Sequence, residues 1–271
     1  MRKEYLLSQQ TADVEEKKLE VAGHSVQMRS SGEGEPLLVL HGELGFPGWM
    51  KYHSNLSKSY RIYAPSHPGY DESDPIDWIM HVRDLAGWYL EAIDDLKLDN
   101  VNLMGLSFGG WLAAEMAVMN PDKFRKLVLV SPTGIKPEKG EIYDIFLNLA
   151  PDFLKESFSN PEAIEEYEMI CPAEPTPQKL ELWEVAREQS CKLGWKPYMY
   201  NPSLKYLLHR LKTLETLIIW GSDDKIVPLD SGHIYKDSVP GSTLEVLDGC
   251  GHRPEIENSQ LFSDKVLSFL K

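Results

Sequence analysis

The sequence predicts an α/β protein with a mostly parallel central sheet and helices on both of its faces. Short apolar runs that end in small residues recur along the chain, as in PLLVL before His41-Gly42 and VNLMGL before Ser107. Continuous runs of this kind suit strands buried on both faces. Helical text separates several of them, and strand alternating with helix means parallel strands joined by crossovers. Of the 271 residues, 42% are hydrophobic and 26% charged, the composition of a packed globular enzyme rather than of a disordered chain.

Taken in order, residues 17–30 alternate as two short strands hinged at Gly23, which suits an antiparallel hairpin. Strands follow at 36–40, 61–66, 101–107, 126–132, 216–221 and 243–249, with helical patterns at 78–96, 108–119 and 256–270. The alternation stops between residues 135 and 210. There the text is helical and punctuated by proline, without a strand signal. The sequence therefore divides into a core domain, 1–134 with 211–271, and an inserted helical lid, 135–210. Long structureless excursions are uncommon in compact domains, which favours the lid over a surface loop. Residues 138–168 carry nine Asp and Glu against two Lys. Ile142, Ile145, Phe146, Leu149, Phe153 and Phe158 are spaced to face inward on helices.

Lys and Arg number 28 against 42 Asp and Glu, a net charge of −14. That balance repels phosphate backbones and anionic lipid, so neither nucleic acid nor membrane is an expected partner. No apolar run approaches the roughly 20 residues that span a bilayer, and the opening MRKEYLLSQQTADVEE lacks the apolar stretch of a secretory signal. The three cysteines, at wide spacings, indicate neither a disulfide framework nor a zinc site. A cytoplasmic protein is expected; no motif encodes an oligomeric state, and a homodimer stays open.

The sharpest chemical signal is Gly105-Leu106-Ser107-Phe108-Gly109-Gly110, directly after a strand and opening a helix. A nucleophile on such a turn sits in a strained conformation, and the glycines admit the close approach of strand and helix. The helix N-terminus behind it favours developing negative charge. A serine hydroxyl needs a base, and the base an orienting group. Of eight histidines, His252 lies in a glycine-bearing loop past the last strand, where open parallel sheets bind ligands; His41 is expected to shape its loop rather than titrate. For the acid, Asp223 and Asp224 compete in the loop after TLIIW. Neighbouring loop residues diverge, so only one reaches the imidazole and the other is solvated or caps the helix begun near Pro228. The strand before the insertion ends without an acid.

With these motifs in hand, residues 17–270 resemble a lidded member of the α/β-hydrolase superfamily. The matched elements are His41-Gly42, the Ser107 turn, the Asp224 box ending in Pro228, and Gly251-His252, in the order Ser, Asp, His. The resemblance implies Asp224 as the acid and an oxyanion hole built from the backbone N–H groups of Glu43 and Phe108. A serine nucleophile departs from the relatives that open epoxides or cleave carbon–halogen bonds. Carbon–carbon hydrolases of ring-cleavage products resemble this layout but usually carry asparagine before the serine and tryptophan after the histidine, where this chain has Leu106 and Arg253.

Carboxyl-ester hydrolysis without metal or organic cofactor is the leading expectation. The substrate is a medium-sized apolar or aromatic small-molecule ester. Carbon–carbon or lyase chemistry on the same triad is the second reading, and a small-molecule receptor on the same fold the third. Trp111 and Phe146, with Trp183, Trp195, Tyr198 and Tyr200, are expected to line the pocket. Arg253 is expected to form a surface pair or to anchor an anionic substrate group. His67 is read as structural ahead of pocket-lining. The Glu43 carboxylate is expected to point to solvent or a partner, the alternative being burial with a pKa raised enough to donate a proton.

Overall fold

One sheet organises the chain, and its strand order fixes where a site can form. The computed structural model describes residues 13–271, so the reading of the first residues as free of a secretory signal lies largely outside them. Along the chain run β1 (Glu15–Val21), β2 (His24–Ser31), β3 (Pro36–Leu40), α1 (Lys51–Leu56), β4 (Arg61–Pro65), α2 (Val82–Asp95), β5 (Val101–Leu106), α3 (Phe108–Met119) and β6 (Phe124–Val130). Then come α4 (Ala150–Glu156), α5 (Tyr167–Ile170), α6 (Pro177–Gly194), α7 (Leu204–Leu207), β7 (Glu215–Gly221), α8 (Leu229–Ser238), β8 (Thr243–Leu247), α9 (Pro254–Glu257) and α10 (Ser259–Leu270).

The eight strands found among the described residues pair in the order β1-β2-β4-β3-β5-β6-β7-β8. β1 and β2 form the expected hairpin, β2 pairs antiparallel with β4, and the remaining pairs are parallel. From β3 the chain steps outward to β4 and then crosses back to β5. Crossovers of one hand therefore put α1 on one face and α2, α3 and α8 on the other. The order reverses between β3 and β5, and the crevice beyond their carboxyl ends is where such a sheet binds ligands.

β5 is buried at every position, and α3 is buried from Phe108 to Val118. A helix apolar all round belongs inside a core. Among the described residues no helix is long and apolar enough to cross a membrane.

Some elements are shorter than their periodicity suggested. The 78–96 pattern becomes helical only at Val82, because Asp84 Oδ2 accepts the N–H groups of Met80 and His81 and fixes the start there. Trp78 and Met80 are left exposed. In the 256–270 pattern, Asn258 separates α9 from α10 and caps the latter through Leu261 N–H. Residues 142–149 are not helical: Asp144 Oδ1 accepts from Phe146 and Leu147 N–H, a local turn that competes with the helix ladder. Leu149, expected inside, is 62% exposed, whereas Ile145, Phe153 and Phe158 are buried.

Close crossings hold the core together. A Cβ on Gly109 would lie 2.3 Å from Leu40 O, and one on Gly105 2.1 Å from Gly109 O. Gly109→Ala is expected to lower stability by about 3 kcal/mol or more in urea denaturation. Gly241→Ala, on an exposed turn at φ +74 with nothing within 4 Å of the added carbon, is expected to lose only about 1 kcal/mol.

Candidate active site

Ser107 stands between β5 and α3 with φ 49 and ψ −113, a conformation that costs of order 1–3 kcal/mol for a residue with a side chain. The surroundings enforce it: Ser107 N–H donates to Val130 O, and Ser107 O accepts from the N–H groups of Gly110, Trp111 and Thr133. The hydroxyl is thereby turned off the sheet end toward the loops after β3, β7 and β8.

Those loops deliver the partners. His252 Nε2 lies 2.7 Å from Ser107 Oγ, and His252 Nδ1 lies 2.9 Å from Asp224 Oδ2. The side chains of His252 and Asp224 are fully buried. With Asp224 an acceptor, Nδ1 carries the proton and Nε2 is free to accept from the serine. Asp224 is fixed in turn, since its Oδ1 accepts from Ile226 and Val227 N–H at 2.8 and 2.9 Å. Asp223 goes elsewhere: it is exposed, accepts from the Ser159 and Ser222 hydroxyls, and caps no helix. Burial lowers the His252 pKa, but the charge and hydrogen bond of Asp224, aided by Glu43, outweigh it and leave the pKa above the ordinary 6.5.

His252 is also held through its backbone. Its N–H donates to Ser157 O at 2.8 Å, and Glu257 accepts from both Gly251 and Ser159 N–H. Ser190 on α6 donates to Glu43 O at 2.8 Å and bonds the Tyr70 hydroxyl. Sequence reasoning missed Ser157 and Ser190, because only the fold brings the 131–214 segment against the loops after β3 and β8.

On the β3 side, His41 donates from Nδ1 to Gly42 O at 2.7 Å and accepts His67 N–H at Nε2 at 2.9 Å. Burial pushes its pKa down to about 3, so it shapes the loop as a neutral ring. His67 is likewise buried, between Tyr89 and His41 O, in the structural role expected of it.

Glu43 corrects an expectation. It does not point to solvent: it is buried, and Oε2 faces Phe108 N–H at 3.5 Å. Arg253 is no surface pair either. It is buried, and its Nε donates to Glu255 at 2.7 Å. Trp111 is buried, donates to Glu115 at 3.2 Å, and edges a cavity of about 290 Å³ with Arg83, Leu193 and Pro197 that includes none of Ser107, Asp224 and His252. Phe146 packs against Trp195 and Tyr198, and Trp195, expected to line a pocket, is 53% exposed. Among the described residues no three His, Cys, Asp or Glu converge as metal ligands would.

A mostly parallel sheet with a serine turn after β5, an aspartate after β7 and a histidine after β8 is the arrangement of the α/β-hydrolases. Residues 35–159 match the family model for the alpha/beta hydrolase fold. Similar relatives include the 2-hydroxy-6-oxo-6-phenylhexa-2,4-dienoate hydrolase of Burkholderia cepacia, 25% identical over 271 residues, covering 90% of this chain and 91% of the relative. The 2-hydroxy-6-oxononadienedioate/2-hydroxy-6-oxononatrienedioate hydrolase of Burkholderia vietnamiensis is 29% identical over 261 residues, covering 91% of each chain.

Two solved structures share the fold. The 2-hydroxy-6-oxo-6-phenylhexa-2,4-dienoate hydrolase from Rhodococcus sp. strain RHA1 has a TM-score of 0.78 at 21% identity, over 96% of this chain and 99% of that one. Naproxen esterase from Bacillus subtilis has a TM-score of 0.77 at 18% identity, over 100% and 96%. The chain has the alpha/beta hydrolase fold.

The hydrogen-bonded chain of side chains predicts a pH signature. A base must be neutral to accept a proton, so activity is expected to rise with pH through the His252 pKa, with the acid limb above 6.5 because that pKa is raised. Asp224→Asn removes the main raising influence. Its acid limb should move to lower pH while kcat falls by about 10⁴-fold, as pH profiles of both proteins would read.

Proposed function

We propose that the protein is a serine hydrolase that cleaves a carboxylic ester of a medium-sized apolar or aromatic small molecule. The observation that carries this reading is the buried Ser107–His252–Asp224 relay, with contacts of 2.7 and 2.9 Å. Ser107 Oγ attacks the carbonyl carbon as its proton passes to His252 Nε2, and the carbonyl electron pair becomes an oxyanion. Phe108 N–H, with Glu43 N–H, receives that charge, each donor worth about 3 kcal/mol. Collapse expels the alcohol, which takes the proton from His252. Water, deprotonated by the same imidazole, then releases the acid from Ser107.

Residues 135–210 act as the lid in this reading. Ser157 and Ser190 support it, since both bring that segment into hydrogen bonds with the loops around the site. The second reading is carbon–carbon hydrolysis, favoured by the relatives that are dienoate and dienedioate hydrolases. Leu106 and Arg253 stand against it as departures from that branch. So does Glu43, whose carboxylate faces the Phe108 N–H that would carry the oxyanion, where an anionic substrate group would meet like charge.

The test is mass spectrometry after fluorophosphonate treatment, with turnover of p-nitrophenyl esters of increasing chain length. A single adduct on Ser107 is expected, with turnover reduced at least about 10³-fold in Ser107→Ala. An adduct without ester turnover supports the carbon–carbon reading. Failure to form an adduct overturns the activated serine.

A further inference from the structure

We propose that Ser190, inside the 135–210 segment, is a positioning residue that sets the backbone donor of Glu43 for the oxyanion formed at Ser107. This rests on the serine-hydrolase reading and on Glu43 N–H as one of its oxyanion donors. Ser190 itself touches no reacting atom in that reading. It acts through the backbone of the loop after β3.

That donor belongs to a tight turn. Gly45 N–H donates to Gly42 O at 3.3 Å, which makes Glu43 and Leu44 its two central residues. The peptide that carries Glu43 N–H is the one that carries Gly42 O, and it is trans. A trans peptide points its C=O and N–H in opposite directions. The bonds from His41 Nδ1 and Gly45 N–H to Gly42 O therefore aim Glu43 N–H away from them. The next peptide, which carries Glu43 O, is the one whose orientation distinguishes the two common turn types. Glu43 keeps one backbone shape only when both of its peptides are held.

Ser190 holds the second of them. Its hydroxyl donates to Glu43 O at 2.8 Å and meets the Tyr70 hydroxyl, also at 2.8 Å. A carbonyl only accepts, so the single Ser190 proton goes to Glu43 and Tyr70 donates to Ser190 Oγ. Burial raises the Tyr70 pKa, which keeps that proton in place. The chain from Tyr70 through Ser190 to Glu43 O thus runs in one direction, each bond polarising the next. Both side chains are fully buried, so water does not compete for these bonds. A serine inside a helix often turns its hydroxyl back on its own backbone, but α6 is seated so that this one reaches outward. Beside it, Gln189 packs where a Cβ on Gly69 would come within 2.8 Å, and Lys192 Nζ reaches Ile76 O at 3.5 Å. The oxyanion donor is therefore completed by the inserted segment, not by the core alone.

Rates of Ser107 labelling by a fluorophosphonate test this without presuming which bond the natural substrate offers, since the phosphonyl oxygen draws on the same donors. In Ser190→Ala the maximal labelling rate is expected to fall about tenfold or more, the scale on which a misplaced group acts. The half-saturating probe concentration should stay unchanged, because the donor matters only once charge develops on oxygen. Tyr70→Phe, which removes the outer bond alone, is expected to show the same split with a smaller loss. Thermal denaturation establishes that each variant is folded at the assay temperature. If Ser190→Ala is unfolded there, Tyr70→Phe carries the test.

Native labelling rates in the folded variants, or a change confined to the half-saturating concentration, would overturn the positioning role while leaving the activated serine standing. Absence of labelling in the native protein would overturn the serine reading and the role of Ser190 with it.

Discussion

The crossing of β5 and α3 at Ser107 is the constraint on which the site depends. Strand and helix approach so closely that Gly105 and Gly109 admit no Cβ, and the residue between them is driven to positive φ. Nothing local makes that favourable. It persists because β5 is buried throughout and α3 nearly so, so relaxing the turn would mean unpacking the centre of the molecule. The loops after β3, β7 and β8 then bring Glu43, Asp224 and His252 to a serine whose position is already decided.

Around this fixed point most of the polar side chains are matched within the loops and helices that carry them. Asp224 has His252 and two backbone N–H groups; His41 and His67 use both ring nitrogens, within the facing loops and, for His67, with Tyr89 of α2; Arg253 has Glu255. Buried groups matched in this way hold a loop in one arrangement. Glu43, buried beside them, faces Phe108 N–H at 3.5 Å, and its charge reaches both His252 and Arg253.

Much of this was legible in the sequence, and the physical reason differs from place to place. Strands buried on both faces write themselves as unbroken apolar runs, so β3, β5, β6 and β7 could be read directly. Ser107 was legible because its glycines answer a backbone requirement, and His252 because of where its loop must fall. The choice between Asp223 and Asp224 came from the resemblance, as loop direction is not encoded in periodicity. Residues 142–149 misled because a side-chain turn at Asp144 competes with a helix of suitable spacing. For Glu43 and Arg253 the solvent-facing options fail, since both are buried although a charged residue in a loop is ordinarily solvated. Ser190 of α6 reaches the Glu43 backbone only through tertiary packing, whereas Arg253 pairs with Glu255 just two residues on.

The bond from His252 N–H to Ser157 O has a consequence for how such a protein changes over evolutionary time. Under the proposed function the stretch that holds Ser157 belongs to the lid, and so is also the stretch that fitting another substrate would rewrite. A rewritten stretch shifts the carbonyl that seats the imidazole, so gains in fit for a new molecule arrive with losses in proton transfer. Divergence should therefore proceed by coordinated changes in the 157–159 region and the 251–257 region, with neither drifting alone.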